Sequence, residues 1–435
     1  MAKDAVGFAL SALNRLASSD VLDKMGMRKF VERMAYSLTK TGFQVLTGSA
    51  RAFKSAKKMD KPDRLKAPGI TRELFDLNIT DEQQMIRESV QGFAKEVLRE
   101  AAEQADEAQQ TSNKVLEAAQ ELGLNYFAVP ESLGGAATER SPVTTALIAE
   151  DLAHGDMGQA IAILAPISVA NALTQWGTAD QQARYLPAFV EEKPLHAAIA
   201  LAEKQPLFDP NKLSTKAIKK GDGWEISGEK HLVPLAATAE LFLVAAQTDD
   251  GPAVFIIETG TRGLLIAETP SMGIRASAQQ TLKLDKVVVS ADNKLGDKDF
   301  DYQQFVDLGT LAWCAMATGC AQGVMEYCID YANQRQAFGE PISHRQAVAF
   351  MIADMGIEIE SMRLLVWRAA SRAEQGKSFK REAYLARTLC KEKAMKVGTD
   401  GVQILGGHGF TKEFPVERWY RDLRSVGVAF GGLHL

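Results

Sequence analysis

The spacing of apolar residues divides the chain into a helical part, a β-rich part and a second helical part. Thr80 and Gln83 have the spacing of a capping box, in which two side chains satisfy the free amides at a helix start. Behind them, Ile86 and Val90 recur at helical intervals. The pattern predicts a helix after Thr80, a second helix that ends at Gly123, and helical segments that continue through about residue 191.

After His196 the pattern becomes typical of strands. Gly221-Asp222-Gly223 is typical of a tight hairpin turn, because these residue types adopt the positive φ that such turns require. Long helical patterns return at about Asp301 and continue nearly to the end. The sequence therefore predicts a mainly α protein with a central β domain. The predicted strands are Trp224–Ser227, Leu241–Ala246, Ala253–Glu258 and Thr281–Val289.

Composition limits the class of protein. Of the 435 residues, 46% are hydrophobic and 24% are charged, which excludes a mainly disordered or fibrous chain. Four cysteines without a Cys-x-x-Cys pair argue against a disulfide framework and a structural zinc site, so we expect a reducing compartment and no metal. The longest uncharged runs, Met157–Ala179 and Leu308–Met325, contain polar residues that favour buried bundle helices over membrane spans.

Charge is distributed unevenly along the chain. Residues 1–66 hold 14 Lys and Arg against 6 Asp and Glu, a net charge of +8, whereas the remainder has a net charge of -13. This basic amphipathic N-terminal extension favours contact with an anionic membrane surface or packing on a subunit, and a disordered or targeting segment is a third interpretation. The acidic body argues against nucleic acid as a partner. We expect a cytoplasmic protein, membrane-associated on the inner face, or a mitochondrial matrix protein in a eukaryote.

The most informative motifs lie in the last hundred residues. Residues 403–424, QILGGHGFTKEFPVERWYRDLR, closely resemble the C-terminal signature of acyl-CoA dehydrogenases. Residues 335–339, RQAFG, with Pro341-Ile342 and Gln346, resemble a second signature of this family. Residues 221–230, GDGWEISGEK, resemble the hairpin of its β domain. The resemblance covers about Asp76 to the end of the sequence.

The resemblance implies three domains behind the extension at residues 1–66. These would be an N-terminal α-helical domain at residues 67–195, a β-barrel or sandwich domain at residues 196–299, and a C-terminal four-helix bundle at residues 300–435. It also implies FAD held between domains and a neighbouring subunit of a homo-oligomer, either a dimer or a tetramer. The implied reaction is α,β-dehydrogenation of an acyl thioester, in fatty-acid or related acyl-CoA oxidation.

Six residues match the positions at which the family contacts the diphosphate and adenine of a neighbour's FAD. An arginine offers forked donors to a diphosphate, and glycines leave backbone amides accessible. The alternative is that Arg335 is a surface or ion-paired arginine and Gln346 a helix-capping residue. The six predicted cofactor-binding residues are Arg335, Phe338, Gln346, Gln403, Gly406 and Gly407.

Both positions at which the family carries its catalytic glutamate lack a base. Counting from Arg421–Arg424 places Phe430 at the usual position, and Gly309 stands at the alternative position in the first bundle helix. A phenyl ring cannot accept a proton, so the catalytic residue is unknown. Asp307 and His434 are the nearest substitutes, and we interpret them as a solvated helix residue and part of a mobile tail.

The flavin-facing positions also depart from the family pattern. Ala202-Glu203-Lys204 and Leu232-Val233-Pro234 lack the hydroxyl and the indole that the family places against the flavin ring. Two hypotheses follow. The chain is either an FAD-dependent acyl-CoA dehydrogenase with an unlocated base, or a catalytically silent subunit that completes the FAD sites of a competent paralogue in a hetero-oligomer.

Overall fold

A computed structural model describes residues 79–138, 140–205 and 207–435. The basic extension at residues 1–66 lies outside these residues, so its predicted amphipathic helices stay a prediction.

The N-terminal domain is built of helices that begin and end close to their sequence signals. Thr80 Oγ1 accepts the Gln83 amide at 3.2 Å and Gln83 Oε1 accepts the Thr80 amide at 3.1 Å, which confirms the capping box. Gly123 adopts a φ of 67° just beyond the second predicted helix. The helices are α1 (Asp81–Phe93), which runs through a π-helical segment (Ala94–Leu98) into α2 (Arg99–Ala108), then α3 (Asn113–Glu121), α4 (Pro142–Gly155), α5 (Met157–Trp176) and α6 (Ala179–Tyr185).

The described middle of the chain forms one seven-stranded sheet. Its strand order is β1-β4-β2-β3-β7-β6, and β5 pairs with β4. Lys220 lies opposite Gly223 across a two-residue turn, which confirms the predicted hairpin. The sequence pattern did not predict β1, β2 and β6, because they are short and β2 and β6 are mostly exposed. The strands are β1 (Ala197–Ala200), β2 (Lys216–Lys220), β3 (Gly223–Val233), β4 (Leu241–Thr248), β5 (Gly251–Glu258), β6 (Leu264–Glu268) and β7 (Gln280–Ser290).

The C-terminal domain is a bundle around one long helix, α7 (Tyr302–Gln334), which is buried over most of its length. It packs against α4 of the first domain as well as against its own bundle neighbours. The chain then returns inward, and residues 431–435 are all buried. The elements are α7 (Tyr302–Gln334), the small hairpin β8 (Gln336–Ala337) and β9 (Glu340–Pro341), α8 (Gln346–Glu374), α9 (Lys380–Leu405) and α10 (Val416–Ser425).

One helix of the described residues, α5, is long and apolar enough to cross a membrane, with a mean hydropathy of 1.4. However, 89% of its apolar window is buried inside the protein. Asp156 caps its start by accepting the Gln159 amide, and Pro166 lies within it. It therefore packs as the central core helix of the N-terminal domain.

Candidate functional site

The predicted nucleotide-facing residues lie on the surface at the far end of α7. Arg335 follows the helix directly and is exposed. The turn between β8 and β9 places Phe338 at a φ of 55° with 97% of its surface exposed. A bulky residue at positive φ is a costly conformation, and such strain is typical of positions that serve a contact. The turn is therefore suited to a ligand or a second subunit.

The glycine-rich turn presents open backbone at the same end of the bundle. Beyond α9, Gly406 adopts a φ of 58°, and apart from the adjacent backbone no described atom lies within 4 Å of where a Cβ of Gly406 or Gly407 would stand. The Tyr331 hydroxyl lies 2.8 Å from His408 Nδ1, which ties this turn to the last turn of α7. Arg335 follows Tyr331 by one helical turn, so both signature segments meet here.

Gln346 and Gln403 are also exposed, at the start of α8 and in the last turn of α9. The described surface thus offers a guanidinium, two amide side chains and bare backbone with no competing side chain. These groups fit a nucleotide diphosphate, because forked cationic donors and backbone amides are its usual partners. Contact of the six residues with FAD stays a prediction.

The two family positions for the base contain no proton acceptor. The Phe430 ring packs edge-on against Phe208, with centroids 5.5 Å apart, and the Arg387 guanidinium lies 4.2 Å from its centroid. At Gly309, a Cβ would stand 2.7 Å from the Leu433 carbonyl oxygen. Both positions therefore lack a base, and the space beside each is filled by other groups of the protein.

The interpretation of His434 as part of a mobile tail is wrong, because this residue is only 1% exposed. Arg140 Nη2 lies 3.4 Å from His434 Nδ1, and a guanidinium can only donate, so Nδ1 accepts and Nε2 carries the proton. Burial, with Arg140 nearby, lowers the pKa of His434 well below its usual range. A neutral imidazole whose lone pair is already used is a poor general base.

The interpretation of Asp307 as solvated is also wrong, because the residue is 8% exposed. Burial raises the pKa of Asp307 to about 6, although Gln303 donates to its Oδ1 at 3.0 Å and Lys380 lies nearby. The sequence pattern missed this burial because α7 is enclosed on nearly all sides by other elements.

A buried ion pair that the sequence analysis missed lies beside the flavin-facing positions. Lys230 Nζ donates to Glu203 Oε1 at 2.8 Å, and their side chains are 0% and 3% exposed. Burial lowers the pKa of Lys230 to about 8. Burial also acts to raise the pKa of Glu203, but Lys230 and the amides of Ser214 and Thr215 outweigh it and lower that pKa. Lys230 lies between the exposed Glu229 and the partly buried His231 in β3, so the sequence carried no signal of its burial.

The same corner of the sheet holds acceptors without donors. Val233 lies opposite Gln280 in the β3–β7 pairing, and the Oε1 atoms of Gln279 and Gln280 are buried and have no partner among the described residues. Buried acceptors are normally paired, so these amides are available to a donor outside the chain. A flavin ring edge supplies such a donor, so this corner also fits FAD although Pro234 offers no hydroxyl.

Comparison with known proteins matches all three domains of one family, in order. The N-terminal domain of acyl-CoA dehydrogenases matches residues 80–193, the middle domain residues 198–287 and the C-terminal domain residues 302–432. The short-chain specific acyl-CoA dehydrogenase of Megasphaera elsdenii is 32% identical over 82% of this chain and 96% of its own length. Cyclohex-1-ene-1-carbonyl-CoA dehydrogenase of Geobacter metallireducens is 31% identical over 81% and 95%.

Solved structures agree with these matches. Butyryl-CoA dehydrogenase from Megasphaera elsdenii superposes with a TM-score of 0.74 at 31% identity, covering 81% of this chain and 95% of that one. An FAD complex of PigA superposes with a TM-score of 0.73 at 25% identity, covering 81% and 94%. On these matches in sequence and fold, the chain belongs to the acyl-CoA dehydrogenase family.

Proposed function

We propose that this chain is an FAD-binding, acyl-CoA dehydrogenase-like oxidoreductase that acts on an acyl thioester. The match of all three family domains in order, at 32% identity to a short-chain acyl-CoA dehydrogenase, carries this proposal. The reaction would remove hydrogens from the α and β carbons of the acyl group.

The chain's own residues would act mainly by holding and orienting the cofactor. Arg335 and the amides at Gly406 and Gly407 would bind the diphosphate of a neighbouring subunit's FAD, because they are exposed and unobstructed. Gln279 and Gln280 would accept hydrogen bonds at the flavin end. When bound, FAD supplies the acceptor for the hydride from the β carbon.

A second candidate function is a catalytically silent subunit that supports the FAD sites of a competent paralogue. The observation that favours it is the absence of a base at both family positions, where Phe430 and Gly309 stand. Removal of the α proton requires a base within hydrogen-bond reach, so an intact nucleotide surface without such a base fits a supporting role.

The absorbance spectrum of the purified protein and an anaerobic titration with acyl-CoAs test both candidates. We expect a flavin band that bleaches with one class among short-, medium- and long-chain acyl-CoAs. A flavin band that no thioester bleaches would favour the silent subunit. A colourless protein that does not bind added FAD would contradict the FAD-binding proposal.

We further propose a homo-oligomer that uses one face of α8. Phe350, Ile357 and Leu364 recur every seven residues along this helix and are 63%, 65% and 44% exposed. An exposed apolar stripe of this kind is typical of a helix interface. Light scattering should show that Ile357→Asp lowers the molar mass of the assembly, whereas Lys391→Asp on exposed α9 surface should not. An unchanged mass of the Ile357→Asp variant would contradict this interface.

We also propose that residues 1–66 attach the protein to an anionic membrane surface, on the cytoplasmic inner face or in the matrix. Their net charge of +8 supports this proposal. Co-sedimentation with anionic liposomes should be lost when residues 1–66 are removed and should weaken in high salt. Equal, salt-insensitive sedimentation of both forms would contradict it.

A further inference from the structure

The last five described residues, Gly431–Leu435, form a buried segment without regular secondary structure, which we call the plug segment. Leu433, His434 and Leu435 are each at most 1% exposed. Irregular backbone normally lies at the surface, because its polar groups need partners that a core rarely supplies. A buried irregular segment therefore requires a cleft shaped to receive it.

Three different elements supply hydrogen bonds to the plug segment. Trp313 Nε1 on α7 donates to the Gly431 carbonyl oxygen at 2.8 Å. The Gly432 amide donates to the Ile199 carbonyl oxygen of β1 at 3.1 Å. Asn171 Nδ2 on α5 donates to the His434 carbonyl oxygen at 3.3 Å. The cleft thus lies between all three domains.

The fit between plug segment and cleft depends on glycines on both sides. Gly431 and Gly432 adopt φ values of 73° and 76°, and added Cβ atoms would stand 2.4 Å from Leu201 Cβ and 3.3 Å from Pro234. On the facing wall, Gly309 leaves the space that the Leu433 carbonyl occupies. The plug segment therefore fills the space between Leu201, Pro234 and Gly309.

The cleft lies beside both family base positions and next to the flavin-facing positions. Phe430 and Gly309 are the two family base positions. Phe430 directly precedes the plug segment, and Gly309 lies beside Leu433 in its middle. Pro234 and Leu201, which it contacts, belong to or adjoin the flavin-facing positions. In the family reaction, the acyl α carbon must lie between the base and the flavin, which is the space that the plug segment fills.

We propose that the plug segment is an internal occupant of the acyl cleft, so that an acyl thioester binds only after this segment leaves. This inference rests on the proposed function and adds a closed, autoinhibited state to it.

Two partly buried arginines show that the closed state also carries a cost. Arg387 Nη2 donates to the Ala429 carbonyl oxygen at 2.9 Å, and Arg140 contacts His434. Neither guanidinium has a carboxylate within 4.0 Å among the described residues, and each has one buried nitrogen without a partner. Burying unpaired charge is unfavourable, so release of the plug segment would relieve part of this cost.

Gly432→Ala tests the proposal, with Gly427→Ala as its matched control. Alanine at a positive φ costs enough to favour the open state by about 5- to 30-fold. Gly427 lies in the same part of the chain, but its Cβ would meet nothing closer than 3.6 Å. The probes are butyryl-CoA and octanoyl-CoA, with affinity measured by calorimetry and exposure of residues 429–435 measured by hydrogen exchange.

We expect Gly432→Ala to bind one of these thioesters about 5- to 30-fold more tightly than the wild type, and Gly427→Ala to match the wild type. In the wild type, adding that thioester should increase exchange in the plug segment. Trp313→Phe, which removes the donor to Gly431, should act in the same direction as Gly432→Ala.

Two outcomes would overturn the proposal, and they can be told apart. If the wild type binds a thioester while the plug segment stays protected, the ligand lies elsewhere and only the internal-occupant proposal fails. If Gly432→Ala, Trp313→Phe and a variant lacking residues 431–435 all hold FAD and bind no thioester, the proposed action on acyl thioesters fails with it.

Discussion

Replacing Lys230 by methionine should destabilise the protein by removing one member of a buried ion pair. Lys230 Nζ lies 2.8 Å from Glu203 Oε1 and 3.2 Å from the Leu201 carbonyl oxygen, and its side chain is fully buried. Methionine fills a similar volume, so Lys230→Met changes the charge more than the packing. The variant leaves the Glu203 carboxylate buried without its cation.

The magnitude follows from what Glu203 retains. Removing one partner of a buried pair costs about 3–5 kcal/mol of the free energy of unfolding. Glu203 still accepts the amides of Ser214 at 2.6 Å and Thr215 at 2.9 Å, so we expect a loss near about 3 kcal/mol. Adding Glu203→Gln removes the remaining charge but leaves either the Ser214 or the Thr215 amide without its acceptor, so this double variant should recover part of the loss.

Urea unfolding followed by circular dichroism at pH 7 measures these differences. Lys283→Met on the exposed face of β7 is the matched control and should change stability by less than about 0.5 kcal/mol. Burial acts to raise the pKa of Glu203, and Lys230→Met removes the strongest interaction that opposes it, so we expect this pKa to rise in the variant. A raised carboxyl pKa favours the folded state at low pH, so the deficit of Lys230→Met should shrink as the pH falls towards 5.

The reasoning would be refuted if Lys230→Met cost less than about 1 kcal/mol, or if the double variant were no more stable than the single one.

Three further predictions concern the cofactor, the base position and pH. Arg335→Ala should weaken FAD binding by about 10- to 100-fold in equilibrium dialysis, because a charge-assisted hydrogen bond contributes about 1.5–3 kcal/mol. The control variant Arg381→Ala, on the exposed start of α9, should leave FAD binding unchanged. Phe430→Glu should not increase the anaerobic bleaching rate, because the new carboxylate would pair with Arg387 and the cleft beside it is filled; faster bleaching would contradict this expectation. Burial, with Asp156 nearby, raises the pKa of Asp422 to about 7. The folded state therefore binds this proton more tightly than the unfolded state does. The free energy of unfolding should fall as the pH rises from about 4 through about 7. Melting temperatures of Asp422→Asn, which keeps the acceptor for the Ile274 amide, should depend less on pH over this range, and an unchanged pH dependence would count against that assignment.

Local sequence signals were reliable where the conformation of a segment depends on residues adjacent to it in the sequence. The capping box at Thr80, the positive φ at Gly123 and the Gly221-Asp222 hairpin all appear as predicted. Each depends on groups no more than a few residues apart. The short strands β1, β2 and β6 were missed: β1 has four residues and pairs with the more distant β4, and β2 and β6 are mostly exposed and show no clear apolar alternation.

Partners that are distant in sequence decided most features of the site. No residue near Lys230 in the sequence indicates that its ion-pair partner is Glu203, which lies 27 residues away. Asp307 was predicted to be solvated and His434 to lie in a mobile tail, because the residues that bury them come from other elements. Their altered pKa values follow from that burial.

By itself, the sequence determined the order of helical and β domains, the family, and the loss of a carboxylate at Phe430 and Gly309, since these depend on residue identity and local spacing. The tertiary structure decided that the Arg335 loop and the Gly406 turn share one end of the bundle, and that Gly431–Leu435 fills the cleft between the domains. The reason is that burial and shape complementarity arise only when segments far apart in the chain pack together, and no local pattern encodes them.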